Sequence, residues 1–196
     1  MNFLFHLFLS GDDPVVLTGN FMGDFVKGRL GDQYPELLRH GLMLHRQIDS
    51  FAHRDETYRQ SRQRLSPRYG LYRGVLVDLF YDHFLVKDWD RWSDETLTDY
   101  LNRVRRLVEL HNSSLPLRLQ KLVPTIFTEL LPSYGEVSGI GYALERMSLR
   151  AKRPNPLAGG EAELSLNYDR LRDDFREFMP KISQFTAEYI ATERGQ

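Results

Sequence analysis

The sequence predicts an all-α protein folded as a single domain over residues 1–196. Apolar residues recur at helical spacing along most of the chain, and alternating, strand-like runs are scarce. Ser, Asp, Pro and Gly residues punctuate these periodic stretches, and neither an internal repeat nor a linker divides the chain. With 41% apolar and 27% charged residues, the composition is that of an ordinary globular domain with one substantial core.

The elements follow in order. MNFLFHLFLS lacks a basic leading region, carries His6 within its apolar run and meets Gly11-Asp12-Asp13 after ten residues. It is too short to cross a bilayer and poor as a signal peptide, so it reads as a buried first helix of a cytoplasmic protein, from about Asn2 to Ser10. Asp12, Asp13 and Pro14 form a cap and opening turn for a second helix expected to fade near Gly28. After a turn at residues 31–34, a longer helix runs from Glu36 to about Arg54, with Leu38, Leu42, His45 and Asp49 spaced along it. A shorter helix is expected from Asp55 to Arg64, broken at Ser66-Pro67. The mostly apolar stretch from Arg73 to Trp89 predicts a central helix buried on all sides. Ser93 and Thr96 open an amphipathic helix bearing Leu97, Leu101, Val104 and Val108. Pro116, Pro124 and Pro132 cut the next region into short pieces. A helix near Val137 to Arg150, a loop over PNPLAGGEAELS and a final helix from Tyr168 to Thr192, bent or interrupted at Pro180, complete the chain.

The formal charge of -1 gives no global attraction to nucleic acid or an anionic membrane, so charge-guided binding requires a local patch. The absence of cysteine excludes disulfides, thiolate–zinc sites and cysteine nucleophiles. Walker, dinucleotide-binding, GxSxG and HExxH signatures are also missing.

Chemistry enters through polar residues set four apart inside apolar helices: Asn20 and Asp24, His45 and Asp49, and Asp78 and Asp82, with His83 directly after. Residues at i and i+4 share a helical face. An aspartate among Leu, Phe and Val is costly to bury unless a cation or hydrogen bonds satisfy it. Pairs from separate helices can converge on one divalent ion, with Mn²⁺, Fe²⁺ and Zn²⁺ all compatible with imidazole and carboxylate ligands, and His6 is a further contributor. The plainer readings are a core role for His6, a cap or helix tie for Asn20, an ion pair of Asp49 with Arg46, and solvated positions for His40, His53 and His111. Arg103, Arg105 and Arg106, then Arg118 and Lys121, then Arg146, Arg150, Lys152 and Arg153 form local basic clusters. They are either a solvated face or a docking surface for an acidic partner.

NFLFHL, GNFMGDFVKG, HRQID and DHFL, in this order, resemble the acyl carrier protein phosphodiesterase (holo-acyl carrier protein hydrolase) family. A fainter likeness continues through RMSLRAKRP and YDRLRDDFREFMP. The resemblance implies an all-helical, manganese-dependent relative of the HD-type phosphohydrolases, with a distorted version of their architecture. It implies hydrolysis of the phosphodiester between 4'-phosphopantetheine and a serine of acyl carrier protein. Matching of motifs carries over Asn20, Asp24, His45, Asp49, Asp78, Asp82 and His83, with His6. One departure is plain: Asp82-His83 reverses the His-Asp doublet, and no His-Asp pair occurs in the chain.

On this basis Asp24, His45, Asp82, His83 and His6 are the expected metal ligands. Asp78 or Asp49 would orient ligands or assist proton transfer, Asn20 would hydrogen-bond a phosphate oxygen, and Arg46 would clamp the phosphate. Carrier proteins are small and acidic, which gives the arginine clusters a docking role. Two alternatives stay open: a phosphohydrolase of nucleotides or another small phosphodiester, and a helical binding module with a structural metal.

Overall fold

The computed structural model describes residues 1–194. They form helices α1 (Phe3–Phe8), α2 (Pro14–Phe21), α3 (Glu36–Arg54), α4 (Glu56–Arg64), α5 (Arg73–Lys87), α6 (Leu97–Leu110), α7 (Leu117–Gln120), α8 (Val123–Thr125), α9 (Leu131–Ser133), α10 (Val137–Arg150), α11 (Glu161–Leu166) and α12 (Tyr168–Arg194). No β-strand occurs among the described residues, and none of their helices is long and apolar enough to cross a membrane.

Local chemistry accounts for most boundaries. Asp13 accepts from the backbone N–H groups of Val15 and Val16 and caps α2, with Pro14 in its first turn. Asp55 ends α3 and caps α4 through Tyr58 N–H, and Thr96 caps α6 through Asp99 N–H. The prolines at 116, 124 and 132 do divide their region into short pieces around a π-helical segment, Ile126–Leu130.

Three expectations need correction. The second helix stops at Phe21 rather than Gly28, and a 3₁₀ turn, Gly23–Phe25, follows. Asp24 therefore leaves the face it was expected to share with Asn20. The segment read as loop contains α11, which begins at Glu161. The last helix is not interrupted at Pro180, whose ring sits on the exposed side while Phe178, Met179 and Ile182 anchor the other side in the core.

Helix α5 is the axis of the core, with Leu76, Val77, Leu79, Phe80, Tyr81, Phe84 and Leu85 all fully buried. An aromatic cluster of Phe5, Tyr58, Tyr81, Phe175 and Phe178 joins α1, α4, α5 and α12. Each buried ring contributes on the order of 2 kcal/mol or more. Helices α2 and α3 approach backbone to backbone through glycines. A Cβ on Gly19 would stand 2.4 Å from the Leu38 carbonyl oxygen, and one on Gly41 would stand 2.2 Å from that of Val16. This close crossing sets Asn20 against His45.

Candidate active site

Helix α1 has no capping side chain of its own. Its opening N–H groups, on Leu4 and Phe5, donate instead to the two carboxylate oxygens of Asp82 on α5, at 3.1 and 2.9 Å. This anchor fixes α1 and with it His6.

His6 and His45 stack ring on ring, with centroids 3.8 Å apart and planes 13° from parallel. Asn20 sets the protonation pattern of both. Its Oδ1 lies 2.9 Å from His6 Nδ1, and its backbone carbonyl oxygen lies 2.8 Å from His45 Nδ1. The Asn20 Nδ2 group donates to the His6 carbonyl oxygen and to Ser10 Oγ, which orients Oδ1 as the acceptor. Each Nδ1 therefore carries a proton, and in the neutral ring Nε2 presents the lone pair.

Both lone pairs face carboxylates. His6 Nε2 stands 3.4 Å from Asp49 Oδ1, and His45 Nε2 stands 3.4 Å from Asp49 Oδ2 and 3.7 Å from Asp24 Oδ1. One donor atom each from His6, His45 and Asp49 fall within 4.8 Å of one another. His6 Nε2 is buried without a hydrogen bond. Bare nitrogens aimed at ionised oxygens repel unless a cation lies between them, so this donor set fits a divalent metal.

Burial, reinforced by the neighbouring His45, pushes His6 down to about 4, so its imidazole is neutral at physiological pH. Burial alone would raise Asp24 and Asp49, but hydrogen bonding and positive charge from the imidazoles in their protonated form, joined by the Met1 ammonium, outweigh it and hold both below the usual carboxylate range. Asp78 is raised by burial, and its Oδ1 accepts from the Tyr58 hydroxyl at 2.5 Å. The Met1 ammonium lies 2.8 Å from Asp49 and 3.4 Å from Asp78. Met1, Asn2, Asp24, Asp49, Val75, Asp78 and Met147, with His53, line a cleft of about 190 Å³ that opens this group to solvent.

The Asp82-His83 doublet, expected among the ligands, is engaged elsewhere. Asp82 is fully buried and spends both oxygens on α1, with burial pushing it up to about 7. His83 Nδ1 donates to the Tyr134 carbonyl oxygen at 2.7 Å, and Nε2 lies 2.9 Å from the Tyr168 hydroxyl. In this arrangement both residues tie helices together: Asp82 joins α5 to α1, and His83 joins it to Tyr134 and Tyr168. Asn20, expected on a phosphate oxygen, uses its whole amide between His6 and Ser10. Arg46, expected as a phosphate clamp, donates to the Gly28 carbonyl oxygen at 2.6 Å. Asp49, expected to act from behind the ligands or in proton transfer, brings a carboxylate oxygen within 4.8 Å of donor atoms on His6 and His45.

Three contributors escaped sequence reasoning. Gly23 is the floor beneath His45, because a Cβ there would lie 2.1 Å from the imidazole; its place between Asn20 and Asp24 was the available signal. Tyr58 holds Asp78, and no local pattern marks it. His53, read as solvated, is exposed but lies on the cleft wall and donates from Nδ1 to the Asp49 carbonyl oxygen at 2.8 Å.

Comparison with known proteins gives a consistent picture. Residues 1–182 match the family model described as acyl carrier protein phosphodiesterase. A protein of that name from Yersinia pestis is 31% identical over 184 residues, covering 93% of this chain and 95% of its own. Its counterpart from Serratia proteamaculans is 30% identical over 186 residues, covering 94% and 96%. That from Klebsiella pneumoniae subsp. pneumoniae is 31% identical over 185 residues, covering 93% and 95%. No solved structure matches the chain. With nearly its whole length covered by one model and by relatives at this identity, the chain belongs to the acyl carrier protein phosphodiesterase family.

Proposed function

We propose that this protein hydrolyses the phosphodiester joining 4'-phosphopantetheine to a serine of acyl carrier protein, releasing the apo protein and free 4'-phosphopantetheine. The observation that carries the reading is the pair of stacked imidazoles whose bare Nε2 atoms face Asp49 at the end of a cleft. His6, His45 and Asp49 would hold a divalent cation, Mn²⁺ first among the candidates, with Asp24 beside them. When bound, such an ion supplies Lewis acidity toward a phosphate oxygen and eases ionisation of water.

The chain's own residues do the rest. Asn20 accepts from both Nδ1 atoms, which orients each Nε2 toward Asp49. In the hydrolysis a P–O bond forms to a water oxygen and the P–O bond to serine breaks. The net transfer is one proton from water to the serine oxygen. Asp78 is the group we assign to carry that proton: burial raises its affinity for it, and the Tyr58 hydroxyl fixes Oδ1 at the cleft wall. Arg46, by tying α3 to the Gly28 carbonyl, steadies the turn that presents Asp24. We place the reaction in the cytoplasm.

The test is direct. Holo carrier protein is incubated with the protein and Mn²⁺ and then weighed by mass spectrometry. Loss of the prosthetic group, abolished by a chelator and by His45→Ala, is the expected result. Intact carrier protein under all metals tried would overturn the reading.

A further inference from the structure

Of the nine basic residues picked out along the sequence, Arg103, Arg105 and Arg146 pair with carboxylates in the fold, and Arg106, Arg118, Lys121, Arg150, Lys152 and Arg153 have no carboxylate within 4.0 Å among the described residues. Arg103 pairs with Glu95 at 2.8 Å, Arg105 with Glu109 at 2.7 Å and Arg146 with Glu129 at 3.7 Å. Other guanidiniums are likewise spoken for: Arg64 binds Asp174, and Arg172 and Arg176 both bind Asp88. A further group lies beside Tyr58, which holds Asp78. Arg59 and Arg62 on α4 and Arg73 at the start of α5 line one surface cleft of about 230 Å³, with Gln63 beside them. Among the described residues, none of these arginines has a carboxylate within 4.0 Å; Arg73 Nε donates only to the Gly70 carbonyl oxygen. The first turn of α5 has no capping side chain and no acidic residue, so the positive end of that helix adds to the same field. Three unneutralised guanidiniums held together repel one another, a cost that an anionic partner removes.

The position ties this cleft to the candidate active site. A Cβ on Gly74 would lie 3.8 Å from the Tyr58 hydroxyl and 3.9 Å from Arg62 Nε, and that hydroxyl holds Asp78. Arg73 lies in the same opening turns of α5 as Val75 and Asp78, which line the active cleft. The arginine cleft therefore adjoins the active cleft through Gly74 and Tyr58.

We propose that Arg59, Arg62 and Arg73 form the docking subsite for carboxylate side chains on the carrier protein, next to the serine that bears the prosthetic group. The inference rests on the proposed function. Charge complementarity selects the occupant: the cleft is polar, open and cationic, suited to acidic side chains of a protein surface. Arg59, Arg62 and Arg73 then set encounter rate and orientation and leave the bond-breaking chemistry to the cleft.

The experiment compares two substrates, holo carrier protein and a small alkyl ester of 4'-phosphopantetheine, in Arg59→Glu and in Arg59→Glu/Arg73→Glu. Arg62 is spared because it lies beside Tyr58. For the protein substrate kcat/KM should fall about tenfold in the single variant and further in the double, through KM, with the salt dependence of the wild type largely lost. The small ester should show no such fall. Exchanging an acidic residue of the carrier protein for lysine should restore part of the loss. An unchanged kcat/KM for holo carrier protein, or an equal loss on both substrates, overturns the proposal. Titration of apo carrier protein onto wild type and variants, with melting curves to confirm folding, separates this inference from the activity itself. If the wild type binds apo carrier protein through the arginines but cleaves nothing, the hydrolytic reading fails and the docking surface stands. If binding ignores the arginines, the docking surface fails alone.

Discussion

Two histidine–aspartate groups sit in this molecule, and they differ in where their polar atoms go. In the first, His6, His45 and Asp49 bring one donor atom each within 4.8 Å of one another, with both Nδ1 atoms tied back by Asn20 and His6 Nε2 left without a hydrogen bond. In the second, Asp82 gives both oxygens to the backbone of α1, and His83 is bonded at both nitrogens. Both histidines of the first group, and both residues of the second, are buried, and all but His6 belong to motifs four residues apart or adjacent. Burial of a charged pair therefore does not mark a metal centre. The mark is a donor atom left without a partner, because buried polar atoms are otherwise satisfied. The second group serves the first, since Asp82 holds the helix that carries His6.

The sharpest way to break this comparison is to delete an imidazole from each group. His45→Ala should lower hydrolysis by at least about a thousandfold while the protein stays folded, because a ligand is lost. His83→Ala should keep measurable turnover and lose roughly 1–3 kcal/mol of stability, from the unpaired Tyr134 carbonyl and a small cavity. Steady-state rates and denaturant melts on both variants decide the matter, and the opposite pattern would return the doublet to the active site.

Asp82 makes a second distinction, through pH. Its acid form is favoured in the fold, with burial raising the group from an ordinary 3.8 to about 7. Folding therefore takes up a proton between these values. The Asp82 contribution is fully present below the unfolded value, declines as pH rises through the interval, and is flat above the folded one. The loss should reach a few kcal/mol. Asp82→Asn should remove this slope relative to wild type in denaturant melts at about pH 5 and about pH 8. An identical pH dependence in the two proteins would show that Asp82 does not titrate with folding.

Smaller effects refine the first group. Asn20→Ala frees the His6 ring and should weaken Mn²⁺ binding about 10–100-fold, read from calorimetry or a metal-induced melting shift. Gly23→Ala should cost about tenfold in the same measurement, since a methyl 2.1 Å from the His45 ring must push it aside. Unchanged affinity in Gly23→Ala would mean that the imidazole has room to move without losing its ligand geometry.

Much of this was legible in the chain. Helices α3, α4, α6 and α10 appear close to where their caps, prolines and apolar spacing put them. The His45–Asp49 pair was legible for the same reason, because both residues lie within one long helix whose geometry the spacing dictates. The Asn20–Asp24 pair was not, since helix geometry ends at Phe21 and Asp24 reaches His45 from a 3₁₀ turn. The likeness to a family singled out residues without giving their contacts. Asp82 and His83 look like ligands in one dimension; in the fold Asp82 accepts from the backbone of α1 and His83 bonds Tyr134 and Tyr168.

The sequence by itself determined the helical architecture, the lack of thiol chemistry and the stock of imidazoles and carboxylates, because these follow from local periodicity and residue type. Tertiary structure alone decided which of them share a cation-sized space. That choice depends on the glycine-mediated crossing of α2 and α3 and on the capping of α1 by Asp82, contacts between residues far apart in the chain. Hydrogen bonds over such separations leave no periodic trace in a linear pattern, and they fix which lone pairs remain free.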